Sequence, residues 1–214
     1  MVKFEIRNDE IELVEYSDDA ALSELSGELE NFRQLKGLKT DNCKGCEGCC
    51  SDDIPVLGFD LPRFDPDNDL IIPEKPDLDT RKKGIRDLEN NSMNNSMNHE
   101  EATLIYEYNN SEPVILKKKQ DGECIFLENG LCGHYKTRPY SCGLYLCNMG
   151  EHLSFLQEMI IRQGTWHAYN VMGWIDQKDI AHNPFFKADS YDKLLIKDFD
   201  YDLKNALEHL FFYF

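Results

Sequence analysis

All eight cysteines of this 214-residue chain fall into two groups. The first is Cys43-Lys-Gly-Cys46-Glu-Gly-Cys49-Cys50, and the second is Cys124, Cys132, Cys142 and Cys147, separated by seven, nine and four residues. A C-x-x-C turn brings two sulfurs to one metal centre, and Gly45 and Gly48 let the backbone wrap tightly around it. Three cysteines each two residues apart match the run that seats cubane clusters, whereas zinc ribbons more often use separated pairs. The spacing therefore predicts an iron–sulfur centre of the 4Fe-4S kind, with zinc as the alternative. Neighbouring side chains in extended backbone point to opposite sides. Cys49 and Cys50 are thus built to reach in two directions, and the two groups are expected to interleave. A disulfide framework would need an oxidising compartment, for which the sequence offers no sign.

Candidate residues flank the second group. Arg138, four residues before Cys142, is placed to hydrogen-bond a cluster sulfur or offset its charge. The ordinary reading is a surface Arg paired with a carboxylate. Tyr135, the other candidate cofactor-binding residue, is expected to shield the centre together with Tyr140 and Tyr145. One His with three Cys is a familiar zinc set, but with eight thiols present His134 is read as a non-ligand. Trp166-His167-Ala-Tyr169, Trp174 and His182 read as a packed core with a satisfied histidine. No catalytic residue is assigned. The chain has no phosphate-cradling Gly loop, nucleophile elbow, Rossmann fingerprint or radical S-adenosylmethionine spacing.

The charge balance narrows the partners. Formal net charge is -17, which disfavours nucleic acid and anionic membranes, so neither is expected. Ten acidic residues precede Asn31 against Lys3 and Arg7, a solvated face that would also suit a basic protein partner. A redox partner is the other expectation. The N-terminus lacks the apolar core of a signal peptide, and no apolar run reaches the roughly 20 residues of a membrane span. A cytoplasmic location is expected, a reducing one in which grouped thiols hold metal.

The elements that must position these thiols follow from periodicity. Phe4, Ile6, Ile11 and Leu13 alternate about Asn8-Asp9, predicting an N-terminal hairpin. Leu22, Leu25, Leu29, Phe32 and Leu35 predict a helix that Gly37 stops. The Pro- and Asp-rich stretch 51–80 reads as an irregular connection with one short strand, and the Asn-rich tract 89–99 as a mobile loop. Thr103–Tyr108 with Val114–Leu116, and Cys124–Leu127 with Leu131–Cys132, predict two further hairpins. Leu153, Leu156, Ile160 and Ile161 mark one C-terminal helix, and Leu203, Leu207, Leu210 and Phe211 another. The expected class is α+β, with small hairpins, cofactor-holding loops and C-terminal helices. The expected organisation is an N-terminal hairpin and helix over 1–40, a cysteine-cluster domain over 41–150, and a helical extension over 151–214 packed on it.

The first cysteine run, together with Gly122-Glu-Cys124-Ile-Phe-Leu127, Gly130-Leu-Cys132, Tyr135 and Arg138-Pro139-x-x-Cys142-x-x-x-x-Cys147, resembles the CxxCxxCC (YkgJ-like) cysteine-cluster family. The resemblance covers roughly residues 43 to 150 and implies a zinc- or iron-chelating domain. More distantly it extends to flagellin lysine-N-methylases, which implies an iron–sulfur cluster and S-adenosylmethionine. Gly133-His134 before the Tyr and Gly143 after Cys142 depart from the family pattern without touching the cysteines. Three function classes stand. They are a cluster-dependent enzyme such as an S-adenosylmethionine-linked methyl transferase, an electron-transfer or redox-sensing protein, and a zinc-stabilised interaction module.

Overall fold

The computed structural model describes residues 1–36, 50, 52–64, 71–72, 77–91, 110, 112–146 and 148–200. Strands β1 (Val2–Arg7) and β2 (Glu10–Tyr16) form the expected hairpin, pairing Phe4 with Leu13 and Ile6 with Ile11. Asn8 and Asp9 both take positive φ, as a two-residue turn of this hand requires. Val2, Phe4, Ile11 and Leu13 face inward, while Ile6 is 45% exposed near the turn. Helix α1 (Leu22–Leu35) buries Leu22, Leu25 and Leu29 against that face, about 2 kcal/mol for each side chain. Leu35 ends the stripe in solvent, 83% exposed.

The connection after Cys50 is short-range structure of its own. Helix α2 (Leu61–Phe64), strand β3 (Ile71–Ile72) and helix α3 (Leu78–Asn91) follow in order. Asp77 caps α3, its carboxylate accepting the Asp79 and Thr80 amides at 3.0 and 3.3 Å. The Asn-rich tract thus starts inside α3 at Glu89–Asn91, and residues 92–99 lie outside the described residues. Strand β4 (Ile115–Leu116) pairs with β3 along one edge and with residues 54–56 along the other. Both edges are therefore filled; Thr103–Tyr108, the expected hairpin partner, lies outside the described residues. Strands β5 (Leu127–Glu128) and β6 (Leu131–Cys132) form the third hairpin. Its turn is tighter than expected, only Asn129-Gly130, both at positive φ.

Helix α4 (Tyr140–Leu144) carries Cys142, and the long helix α5 (Glu151–Val171) follows. Between them, residues 148–150 clamp onto β2: Ile11 N–H donates to Asn148 O at 2.8 Å and Gly150 N–H to Ile11 O at 2.9 Å. Three 3-10 turns close the described chain at Gln177–Ile180, Pro184–Lys187 and Ile196–Asp198. The expected terminal helix at 203–211 lies outside the described residues. Small two-stranded antiparallel sheets apart from the helices make this an α+β protein. No described helix is long and apolar enough to cross a membrane.

α5 spans two hydrophobic clusters. Its first half, through Leu153, Leu156 and Ile160, joins β1, β2, α1, Phe185, Leu194 and Phe199. Its second half, through Trp166 and Tyr169, joins Val56, Leu61, Phe64, Leu116, Cys50 and Cys124. Where the halves meet, His167 lies among Phe59, Phe185 and Phe186, with ring centroids 5.0 to 5.4 Å away. Gly58 makes this possible, because a Cβ there would stand 2.0 Å from His167 Nδ1. The core reading of His167 holds. Its Nδ1, however, has no hydrogen-bond partner among the described residues, so the expectation of a satisfied histidine is corrected.

Burial pulls the His167 pKa down from 6.5 to about 4. The fold keeps the ring neutral, whereas the unfolded chain takes up a proton below pH 6.5. Stability is therefore expected to fall by about 3 kcal/mol as pH drops from 6.5 to 4, and to level off below. His167→Phe has no proton to gain, so its urea-unfolding free energy should change less over that window. Identical slopes in the two proteins would reject the assignment.

Candidate metal centre

Four of the eight cysteines are described, and they converge. Cys50, Cys124, Cys132 and Cys142 line a single cavity of about 30 Å³. Cys50 and Cys124 are buried, and Cys132 and Cys142 are half-buried. The two sequence groups meet directly, since the Cys124 amide donates to Cys50 O at 2.7 Å. Ile54, Leu116 and Phe126 form apolar walls, and Tyr135, Arg138 and Pro139 complete the lining. Cys43, Cys46, Cys49 and Cys147 lie outside the described residues. Among the described residues alone, no three Cys, His, Asp or Glu side chains stand as a ready ion-holding group.

Each thiol arrives on a different local device. Cys50 precedes the strand-like segment 54–56 that borders β4. Cys124 closes the turn after Lys119, whose amide donates to Glu123 O at 2.8 Å, and Lys119 Nζ donates to Leu127 O. The Asn129-Gly130 turn fixes the register that places Cys132 opposite Leu127. Pro139, at the N-terminal boundary of α4, starts the helix that presents Cys142.

Asp60 sets the position of that helix. Fully buried, it accepts the Tyr140 amide and the Tyr191 hydroxyl, both at 2.9 Å, and pairs with Arg63. Burial raises the Asp60 pKa, against the hydrogen bond from Tyr140 and the charge of Arg63. Ser141 donates to Pro55 O at 2.6 Å and so ties α4 to the Cys50 side of the cavity.

Electrostatics at the cavity bear on the thiols directly. Burial raises the Cys142 pKa well above the ordinary thiol range, Arg138 opposes the shift, and Cys124, Cys132 and Cys50 add to it. Burial likewise raises Cys124, opposed by the backbone N–H groups of Phe126 and Leu127 and by Lys119. Such donors and cations favour the thiolate form that metals take.

Arg138 pairs with a carboxylate, as the ordinary reading expected, but its side chain is only 14% exposed and it lines the cavity rather than the surface. It stacks on the Tyr135 ring at 4.2 Å and pairs with Glu30 of α1 at 3.3 Å. Glu30 also accepts the Tyr135 hydroxyl at 2.8 Å and pairs with Arg33. Burial works against ionisation of Glu30, but hydrogen bonds from Tyr135 and Gln34 and the charges of Arg138 and Arg33 outweigh it and lower its pKa. Arg33 in turn donates to the Tyr145 carbonyl. α1 therefore clasps the cavity wall from outside.

Some expectations fall elsewhere. Tyr140 stacks on Tyr191 at 4.1 Å and donates to Leu22 O, facing the first cluster rather than the thiols. Tyr145 lines a separate cleft. Of the three tyrosines expected to shield the centre, only Tyr135 lines the cavity. His134 is exposed, packs against Phe126 at 4.2 Å and is absent from the cavity lining. Asp60 and Glu30 gave no sequence signal, because nothing local distinguishes them from the other 38 of the chain's 40 acidic residues.

Comparison with known proteins bears on this site. Residues 42–163, more than half of the chain, match the model of the CxxCxxCC family, described as a putative zinc- or iron-chelating domain. No curated protein and no solved structure matches the chain.

Proposed function

Since the chain belongs to the CxxCxxCC family, we propose that it chelates metal in the cysteine-lined cavity and that the metal is an iron–sulfur cluster. One observation carries the reading: Cys50 of the first group shares a cavity with three cysteines of the second. A cavity lined by four thiols fits soft metals, zinc and iron among them. The preference for iron rests on the ferredoxin-like spacing of Cys43, Cys46 and Cys49. The small cavity favours the second reading, a zinc-stabilised module.

Cys50, Cys124, Cys132 and Cys142 would hold the centre, joined by cysteines of the run beginning at Cys43. A cluster supplies one-electron chemistry when bound. Around it, Arg138 offsets thiolate charge, the Phe126 and Leu127 amides orient Cys124, and the apolar walls keep water away. Electron transfer or redox sensing needs only these residues. An S-adenosylmethionine-linked methyl transferase is the enzyme form of the same proposal, supported by the resemblance alone.

Anaerobic purification from iron-replete cells tests the metal. The expected product is brown, with iron and acid-labile sulfide in comparable amounts. Colourless protein loaded stoichiometrically with zinc would transfer the assignment to the structural module.

A further inference from the structure

Glu30 lies on α1, upstream of both cysteine groups, yet it meets the wall of the thiol cavity. Its Oε2 bridges two guanidiniums, with Arg138 Nη2 at 3.3 Å and Arg33 Nη1 at 3.4 Å. Its Oε1 accepts the Tyr135 hydroxyl at 2.8 Å and the Gln34 side-chain amide at 3.2 Å. Two cations drawn to one oxygen repel each other, and so far from bulk water that repulsion is weakly screened. The carboxylate between them offsets it.

The two arginines differ in what else holds them. Arg33 is buried and donates to the carbonyls of Gly143, at 3.5 Å, and of Tyr145. It is anchored to the chain just past Cys142. Arg138 instead sits between the 3-10 turn Tyr135–Thr137 and α4, stacked on the Tyr135 ring. Its Nη2 lies 4.0 Å from where a Cβ on Gly143 would stand, against the residue that follows Cys142. Arg138 and Tyr135 both line the cavity. Without the carboxylate, Arg33 would stay on its carbonyls and push Arg138 away from the thiols. The ligands would remain, but the cation that offsets their charge would be displaced.

We propose that Glu30 is a positioning residue for the metal centre, holding the Arg138 guanidinium at the thiol cavity against the repulsion of Arg33. The inference rests on the chelation reading and holds whichever metal is bound.

The test follows metal release from the full chain, purified with its metal, into excess EDTA for zinc or bathophenanthroline for iron. Glu30→Gln keeps the shape and an acceptor for Tyr135 but loses the charge, and should release metal about tenfold faster than wild type. Arg138→Gln should release at a similar rate. The double variant should be no faster than Arg138→Gln alone, because Glu30 acts through Arg138. A merely structural Glu30 would make the two effects multiply. Glu30→Asp keeps the charge and should release more slowly than Glu30→Gln. Exchange protection of the β1 and β2 amides should be unchanged in every variant. The proposal is overturned if Glu30→Gln releases at the wild-type rate, if the two effects multiply, or if Glu30→Asp is as fast as Glu30→Gln. Loss of β1 and β2 protection alongside the metal would mark a structural role and overturn it as well. In each of these cases the wild type still holds metal, so the chelation reading stands. A wild-type chain that takes up neither zinc nor iron would overturn both.

Discussion

Replacing Cys142 with serine is expected to strip the protein of its metal and loosen the second hydrophobic cluster while the first stays folded. Binding energy at a structural metal site is folding energy, on the order of 10 kcal/mol where the site organises the chain. Here that energy would be delivered locally. Cys50 and Cys124 belong to the second cluster with Leu116, Leu127 and Trp166, whereas the β1–β2 hairpin and α1 pack in the first. Metal analysis and native-state hydrogen exchange read both halves of the prediction. The Cys124 amide, which donates to Cys50 O, and the Leu116 amide, which donates to Ile54 O at 3.0 Å, should lose protection by several powers of ten. Protection of β1 and β2 should persist. Full metal retention in this variant would remove Cys142 from the ligand set.

Asp60→Ala should cost about 3 kcal/mol in chemical unfolding. The carboxylate is wholly buried, and its removal strands the Tyr140 amide and the Tyr191 hydroxyl and releases Arg63. Asp60→Asn keeps one acceptor oxygen and should lose less. The consequence should extend to the site, because the stranded amide opens the helix that carries Cys142. Faster metal loss to a competing chelator is therefore expected in the alanine variant. A cost below about 1 kcal/mol, within the range of ordinary surface changes, would show that Asp60 does not organise this corner.

The sequence made the local elements legible and left the long-range ones dark. Alternation about Asn8-Asp9 and the Leu22-Leu25-Leu29 stripe reported β1, β2 and α1, because each pattern repeats within a few residues. Helix α3 escaped. Of its described side chains only Arg81 and Ile85 are buried, and Arg81 is held by its stack over Trp166 at 5.0 Å. Its aliphatic residues, Leu78, Ile85 and Leu88, recur at spacings of seven and three, too sparse a pattern among charged neighbours to stand out in the sequence. The pairing of Ile115–Leu116 with Ile71–Ile72 was hidden for another reason. Strands of two residues carry no period, and nothing local in 103–116 reveals that both edges are occupied from afar. The cysteines, in contrast, identified themselves by type and spacing, and the structure brings four of them to one cavity. Glu30 and Asp60 became visible only with their burial, since each is an ordinary polar residue until the fold closes over it.

The clasp of α1 on the cavity wall limits how this metal module can be inherited. The family match begins at residue 42, yet Glu30 and Arg33, which hold Arg138, Tyr135 and the Tyr145 carbonyl, lie upstream of it. Downstream of residue 163, Leu194 and Ile196 are bonded to the start of α1, with the Leu22 amide donating to Leu194 O at 2.8 Å and the Ile196 amide to Ala20 O at 2.9 Å. A transplanted segment 42–163 would carry every cysteine but leave its splint behind on both sides. Recombination that shuffles the cysteine motif into a new host must therefore also recreate an acidic side chain against Arg138, or accept a looser centre. What surrounds the motif is, in that sense, where one lineage of such proteins would diverge from another.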